Sequence, residues 1–406
     1  MPNQEPLMTV SVDGVELRTS RTFYRGEHTR FRPTAAIMRR PGALAKHVLA
    51  GWMPPEPFID KDSVIVAFGS CFAHHVSGYL NGLGFDVATS RKGKAYITEM
   101  GDGIVNTYAI RQQFEWAWEG RVPAIPLWHG YKAEEFGYDE EVRLATRALF
   151  DTADVFIVTL GLSEIWYDEP TGEVFWRAVP QDAFDPSRHK FRVATAEQNK
   201  VNLRAIYDLI RRHRPDASII FTVSPIPLSA TFRPIGPFTA NSVSKASLRC
   251  AVDEFMIEHG DDGRLFYYPS YEVVVDCFHH PFGDDLRHPY GHILDLNMKA
   301  FERYFCCTGL EDADIELAYL EAMIADRGIA ALDEAERAQL EQRQVAWQSA
   351  NKAASLRRDR SIERRQTAIT AGLADKARRV AERDARVAEK EARIAARMAK
   401  RKEPPL

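Results

Sequence analysis

The chain is short of cysteine, with five in 406 residues, and Cys71, Cys250, Cys277, Cys306 and Cys307 form no CxxC pair. An odd number at irregular spacing excludes a disulfide framework and a Cys-based zinc site, and suits a reducing compartment. Long apolar runs are also missing. The longest stretches, such as Val155 to Leu162, fall well below the roughly 20 residues that span a bilayer. The first residues, MPNQEPLMTVSVDG, show no basic region followed by an apolar segment, so no signal peptide is expected and a cytoplasmic location is. Neither G-x-x-x-x-G-K-[ST] nor a post-strand G-x-G-x-x-G occurs, which leaves nucleotide and nicotinamide cofactors without support; no cofactor is expected.

Charge is nearly balanced overall, with 53 Lys and Arg against 57 Asp and Glu, but it is unevenly placed. Residues 351–406 carry 17 basic and 8 acidic side chains, and residues 1–350 carry 36 and 49. An acidic body argues against extended nucleic-acid contact, and the basic tail has its acidic residues interleaved. In that tail Leu373, Val380, Val387 and Ile394 recur every seven residues beside an alanine stripe, Ala381, Ala385, Ala388, Ala392 and Ala395. The pattern reads as a basic Ala/Arg-rich helix over 346–406, either solvated alone or pairing as a coiled coil in a homo-oligomer.

Between the Pro- and Arg-rich residues 1–60, expected to be irregular and packed on the core, and a helical extension at 311–345 lies a repeated alternation. Short apolar runs at Ser63–Phe68, Phe85–Thr89, Asp154–Leu160, Ser218–Val223 and Leu265–Tyr268 read as strands. Helical spacing appears over 72–83, 196–213, 241–258 and 290–306, with Asn241 or Ser242 as the expected cap of the third. Strands buried on both faces and joined through helices predict a parallel sheet, hence an α/β domain over 61–310 with right-handed crossovers. Chemistry in such sheets sits beyond the carboxyl ends of the strands, which selects Gly69-Ser70-Cys71, Gly161-Leu162-Ser163-Glu164 and Ser224-Pro225.

At the first of these, a Ser at a strand-to-helix turn can present its hydroxyl over the sheet edge, with its own N–H at a helix start facing developing negative charge. Near the far end stands Asp285-Leu286-Arg287-His288-Pro289. A carboxylate three residues before a histidine can fix the imidazole tautomer and leave the other ring nitrogen for a hydroxyl. A tight turn of small residues and a capped loop are the plain alternatives for the two motifs taken singly.

Together they resemble the GSCFA family, a branch of the SGNH or GDSL-like hydrolases. The namesake motif stands letter for letter at Gly69–Ala73. Ser224-Pro225-Ile226-Pro227, Ser242-Val243-Ser244-Lys245-Ala246, Tyr268-Pro269-Ser270-Tyr271-Glu272 and Asp285 to Pro289 are similar to later blocks, over roughly residues 20–305. The resemblance implies a three-layer flavodoxin-like fold with strand order 2-1-3-4-5. It implies Ser70 as nucleophile, His288 as base and Asp285 as the residue orienting His288. Where SGNH enzymes carry Gly-x-Asn-Asp, with the Asn serving the oxyanion hole, this chain reads Gly161-Leu162-Ser163-Glu164. Ser163 and Asn106, in Gly103-Ile104-Val105-Asn106, are therefore the candidates to join the Ser70 N–H as donors. Gly161, Glu164 and Trp166 are candidate substrate contacts. The implied activity is that of a serine esterase or O-acyltransferase on an acylated carbohydrate or surface polysaccharide, allied to polysaccharide biosynthesis. A catalytically idle scaffold for glycan binding or assembly is the alternative.

Three rivals are weaker. Cys71 adjoins Ser70, but only one of two successive turn residues can face His288, and Cys71 is expected beneath the turn. His279, His280, Asp284, Asp285, His288 and His292 could suggest a metal, but Pro289 starts a helix between His288 and His292, so no metal site is expected. Trp166 and Trp176 could serve as sugar platforms, although core packing is the commoner role.

Overall fold

The computed structural model describes residues 8–12, 15–19, 28–91, 93, 95–99, 101, 103–127 and 138–331. The chain divides into two compact units, Met1–Leu332 and Asp333–Leu406, and the described residues all belong to the first. The expected tail helix over 346–406 lies outside them.

In chain order the strands are β1 (Met8–Val12), β2 (Val15–Thr19), β3 (Val64–Gly69), β4 (Asp86–Val87), β5 (Val155–Leu160), β6 (Glu164–Asp168), β7 (His189–Val193), β8 (Ser218–Val223) and β9 (Leu265–Tyr267). The helices are α1 (Cys71–Gly82), α2 (Tyr96–Glu99), α3 (Thr107–Glu119), α4 (Glu140–Thr152), α5 (Ala196–His213), α6 (Pro237–Glu258), α7 (Ser270–Cys277), α8 (Gly291–Phe305) and α9 (Asp312–Ala331). A π-helical turn covers Ala45–Leu49.

The central sheet has five parallel strands in the order β4-β3-β5-β8-β9, which is the expected 2-1-3-4-5. Alternation along the strands builds two cores. Val66, Phe68, Phe156, Val158, Ile219 and Phe221 face one side, with Ile110, Phe114, Phe150, Leu203 and Phe255 from α3 to α6. Ile65, Ala67, Val155, Ile157 and Ile220 face the other, with Phe72, Val76 and Leu80 of α1 and Phe301 and Phe305 of α8. Covered on both faces, the strands need apolar residues at nearly every position, as β5 and β8 show: every residue in each is buried. The protein is an α/β structure of three layers.

Two departures from the sequence reading bear on the site. Helix α6 starts at Pro237, with Gly236 before it, rather than near Asn241. Proline fits the first helical position because its missing N–H would have no partner there. Second, β6 and β7 pair antiparallel as a separate ribbon directly after the β5 exit. Within the segment expected to be irregular, β1 and β2 pair antiparallel, and Ile59 there pairs with Cys306 after α8.

Candidate active site

The β3–α1 turn is fixed by a glycine. Gly69 has φ +132°, and a Cβ there would lie 2.1 Å from the Thr159 carbonyl oxygen, so no other residue fits. Gly69 pairs with Thr159 in the sheet, which brings Ser70 to the end of β5. The Ser70 N–H donates to Thr159 Oγ1 at 2.6 Å and to its carbonyl at 3.1 Å. Ser70 Oγ lies 2.9 Å from Thr159 Oγ1 and accepts from the Phe72 N–H at 3.3 Å, so it caps α1. Ser70 is only 4% exposed.

Gly161, after β5, gives the second close approach. A Cβ there would stand 3.4 Å from Ser70 Cβ and 2.9 Å from the Val105 carbonyl oxygen. The Gly161 and Leu162 N–H groups both donate to that carbonyl, at 2.9 and 3.2 Å.

The other two proposed oxyanion donors are engaged elsewhere. Asn106 caps α3 through its Oδ1, and its Nδ2 donates to the carbonyls of Phe175 and Trp176, at 3.3 Å each. Ser163 is fully buried; its Oγ donates to the Ser244 carbonyl at 2.9 Å and accepts from Asn199 Nδ2 at 3.3 Å. In this arrangement both residues tie loops together and offer no free proton.

The Asp285 to His288 loop forms a compact dyad. His288 Nδ1 is bonded to Asp285 Oδ2, and Asp285 Oδ1 accepts from the N–H groups of Arg287 and His288, at 3.0 Å each. Burial pushes the Asp285 carboxyl up, but those backbone bonds and the imidazole outweigh it and hold it below the usual range. Leu286 between them has φ +53°, a left-handed conformation unusual for leucine. The loop is held by a bridge between Phe282 and Pro289 and by Arg287 Nε, which donates to the Pro227 carbonyl at 3.3 Å.

Through Arg287 this loop is tied to Pro227, just past the end of β8, the neighbour of β5 in the sheet. His75, on α1 five residues past Ser70, feels the charge of His288, and burial drives its own imidazole down to about 4. Lys245 on α6 feels both Cys71 and Arg287, the neighbours of Ser70 and His288. Two segments more than 200 positions apart in sequence are thus each anchored at the carboxyl rim of the sheet, Ser70 on Thr159 at the end of β5 and the dyad loop on Pro227 past β8. His288 makes no hydrogen bond to Ser70, whose hydroxyl rests on Thr159.

Beside the rim, Glu164 Oε1 accepts from Thr231 Oγ1 at 2.8 Å, while its Oε2 is buried without a partner. Burial raises this carboxyl above its ordinary range, and Thr231 and Arg233 only partly offset that. Trp166 Nε1 and Arg233 Nη1 are likewise buried and unpartnered. The Trp166 ring meets Phe184, Phe191 and Phe232 edge-on or tilted, and Phe184 and Phe232 are exposed. Trp176, by contrast, is fully buried and packs on Tyr96.

The sequence reading passed over Lys245, although it falls in one of the quoted blocks. It is 2% exposed, and its Nζ donates to the carbonyls of Gly161 at 2.6 Å and Ser224 at 2.7 Å. The signal was available: Lys245, Leu248, Val252 and Phe255 form one helical stripe, and a cation stands where an apolar residue belongs. Among the described residues, no three or more His, Cys, Asp or Glu side chains are grouped to hold a metal ion. Asp326 instead accepts from the N–H groups of His279 and His280. Among the described residues no helix is long and apolar enough to cross a membrane.

Comparison with known proteins finds no match among curated proteins. A crystal structure from Parabacteroides merdae, provisionally described as a GDSL-like lipase, aligns over 66% of this chain and 99% of its own, at 13% identity and a TM-score of 0.27. A score that low carries no weight for fold or function. The family model for GSCFA matches residues 64–301, a span that takes in the Ser70 turn, Gly161, Lys245 and the Asp285–His288 dyad. Covering more than half of the sequence, that match establishes that the chain belongs to the GSCFA family.

Proposed function

We propose that the protein is an SGNH-type serine esterase or O-acyltransferase acting on an acylated carbohydrate or surface polysaccharide. The observation that carries this reading is the Asp285–His288 dyad on a loop tied to the β8 exit, with Ser70 at the β3–α1 turn against the end of β5. Ser70 Oγ leaves Thr159, attacks the ester carbonyl carbon and passes its proton to His288. Asp285 keeps Nδ1 protonated and stabilises the imidazolium. The tetrahedral oxyanion collapses, the C–O bond to the leaving alcohol breaks, and His288 returns the proton to that alcohol. Water or a sugar hydroxyl then attacks the acyl-Ser70 ester, with His288 again as base.

The sugar contacts would come from the ribbon beside the rim. Glu164 Oε2 can meet hydroxyl donors, Trp166 Nε1 and Arg233 Nη1 can meet hydroxyl acceptors, and Phe184 and Phe232 offer faces for C–H groups. Gly161 lets the β5 exit pack directly against Ser70 and Val105, where any side chain would clash.

The engaged state of the Asn106, Ser163 and Ser70 donors favours a second reading, a glycan-binding scaffold without turnover. A serine-reactive fluorophosphonate separates the two. Labelling of Ser70, and loss of p-nitrophenyl acetate turnover in Ser70→Ala, support the enzyme. An unlabelled Ser70, under conditions that label a control esterase, supports the scaffold. Sedimentation of the full chain against one ending near residue 345 tests a homo-oligomer formed through the tail.

A further inference from the structure

We infer that Lys245 is a positioning residue of this site, resting on the esterase reading above: its ammonium clamps the β5 and β8 exits beneath the nucleophile and supplies positive charge for the developing oxyanion. Nζ bridges the Gly161 and Ser224 carbonyls at 2.6 and 2.7 Å, and Gly161, just past β5, is packed so near Ser70 that a Cβ on it would lie 3.4 Å from Ser70 Cβ. Both exits are thus tied by one atom.

The clamp alone does not need the charge. A neutral amine keeps two N–H bonds, enough for both carbonyls. An apolar helix face with one buried cation is a costly arrangement, and among the described residues no carboxylate pairs with Lys245. The titratable groups that face it are Cys71, at the start of α1, which favours its protonation, and Arg287, on the dyad loop, which opposes it. Burial is the dominant influence and drives the amine down to about 7. It therefore changes charge within the range where a serine esterase works.

The oxyanion donors that the sequence suggested are occupied, so a fixed cation at this place has a clear use. Charge in a dry site acts more strongly than in water and needs no reorganisation as the oxyanion forms. Its effect is on the transition state, so it should appear in kcat rather than KM.

The test follows p-nitrophenyl acetate turnover, and in parallel the rate of fluorophosphonate labelling at Ser70, as functions of pH. The wild-type rate should fall with rising pH as Lys245 loses its proton. Lys245→Arg, which stays charged, should lack the falling limb and keep measurable activity. Lys245→Met should lose about ten- to a hundredfold in kcat, with KM within about twofold, and also lack the falling limb. A Lys245→Met enzyme with wild-type kcat overturns the inference, as does a Lys245→Arg enzyme that keeps the falling limb. Should Lys245→Met fail to fold, the Lys245→Arg profile still decides. Ser70→Ala separates the two levels. Turnover retained in that variant removes the esterase reading itself, whereas an inactive Ser70→Ala with unaffected Lys245 variants removes only the role of Lys245.

Discussion

Replacing Ser70 with alanine should destabilise the protein as well as silence it, which sets this nucleophile apart from one held in a strained position solely for chemistry. In the resting arrangement Ser70 Oγ caps α1 through the Phe72 N–H and shares a hydrogen bond with Thr159 Oγ1. Loss of a serine cap to alanine costs typically about 1 kcal/mol. The 3.3 Å cap bond is long, which puts its share at the low end. The bond to Thr159 adds on the order of 1 kcal/mol, but Thr159 Oγ1 keeps the Ser70 N–H as a donor at 2.6 Å and is not orphaned. The net expectation is about 1–2 kcal/mol, a fall of roughly 2–6 °C in Tm for a body of this size. Chemical denaturation at pH 7, with the slope unchanged, measures it. A Ser70→Ala protein as stable as the parent, or more so, would mean that the resting hydroxyl is not bonded as described, and the swing away from Thr159 would drop out of the mechanism.

Other consequences follow from neighbouring residues. Gly69→Ala should cost at least about 4 kcal/mol, because the new Cβ meets a backbone carbonyl at 2.1 Å with positive φ; near-native melting would refute the geometry of the turn. Asp285→Asn should keep the fold and lower kcat by roughly 10²–10⁴, since the amide cannot favour the correct imidazole tautomer; unchanged kcat would remove the dyad. His75 predicts acid sensitivity. Its folded imidazole is held down to about 4, so between pH 6.5 and 4 the unfolded chain binds the extra proton and stability falls as pH falls. His75→Gln should lose about 2 kcal/mol less than the parent across that window in denaturant titrations.

The sheet was legible because its strands are buried on both sides. A run such as SIIFTV has few other places to go, and all five central strands fall where the apolar runs do. Helices α3 and α4 were passed over for the opposite reason. Thr107, Gln113, Glu115 and Thr146 are buried polar residues that blur the apolar stripe, and Asn199, the partner of Thr107, is distant in sequence. The ribbon of β6 and β7 was hidden because about twenty residues separate its strands and no tight-turn signal marks it. Ser70, Asp285 and His288 could be read as residue types at telling positions. Where donors point could not be read: Asn106 and Ser163 have the right chemistry, but a carbonyl 69, 70 or 81 positions away takes their protons.

That contrast bears on how this site can work at all. A hydrolase needs donors aimed at charge that does not yet exist, and a folded protein satisfies buried donors with whatever carbonyl is near. Here the N–H of Ser70 goes to Thr159, those of Gly161 and Leu162 to Val105, and the Asn106 amide to Phe175 and Trp176. Freeing any of them breaks a bond that also holds a strand exit or a helix cap. A buried cation avoids the conflict, because its field reaches the substrate while its N–H groups remain on Gly161 and Ser224. The replacement of the usual Asn block by Gly161-Leu162-Ser163-Glu164 and the presence of Lys245 on an apolar face then become one feature. Introducing Asn at Ser163 in the Lys245→Met background tests that link. Partial return of Ser70 labelling supports it, and no return in a folded double variant separates the two.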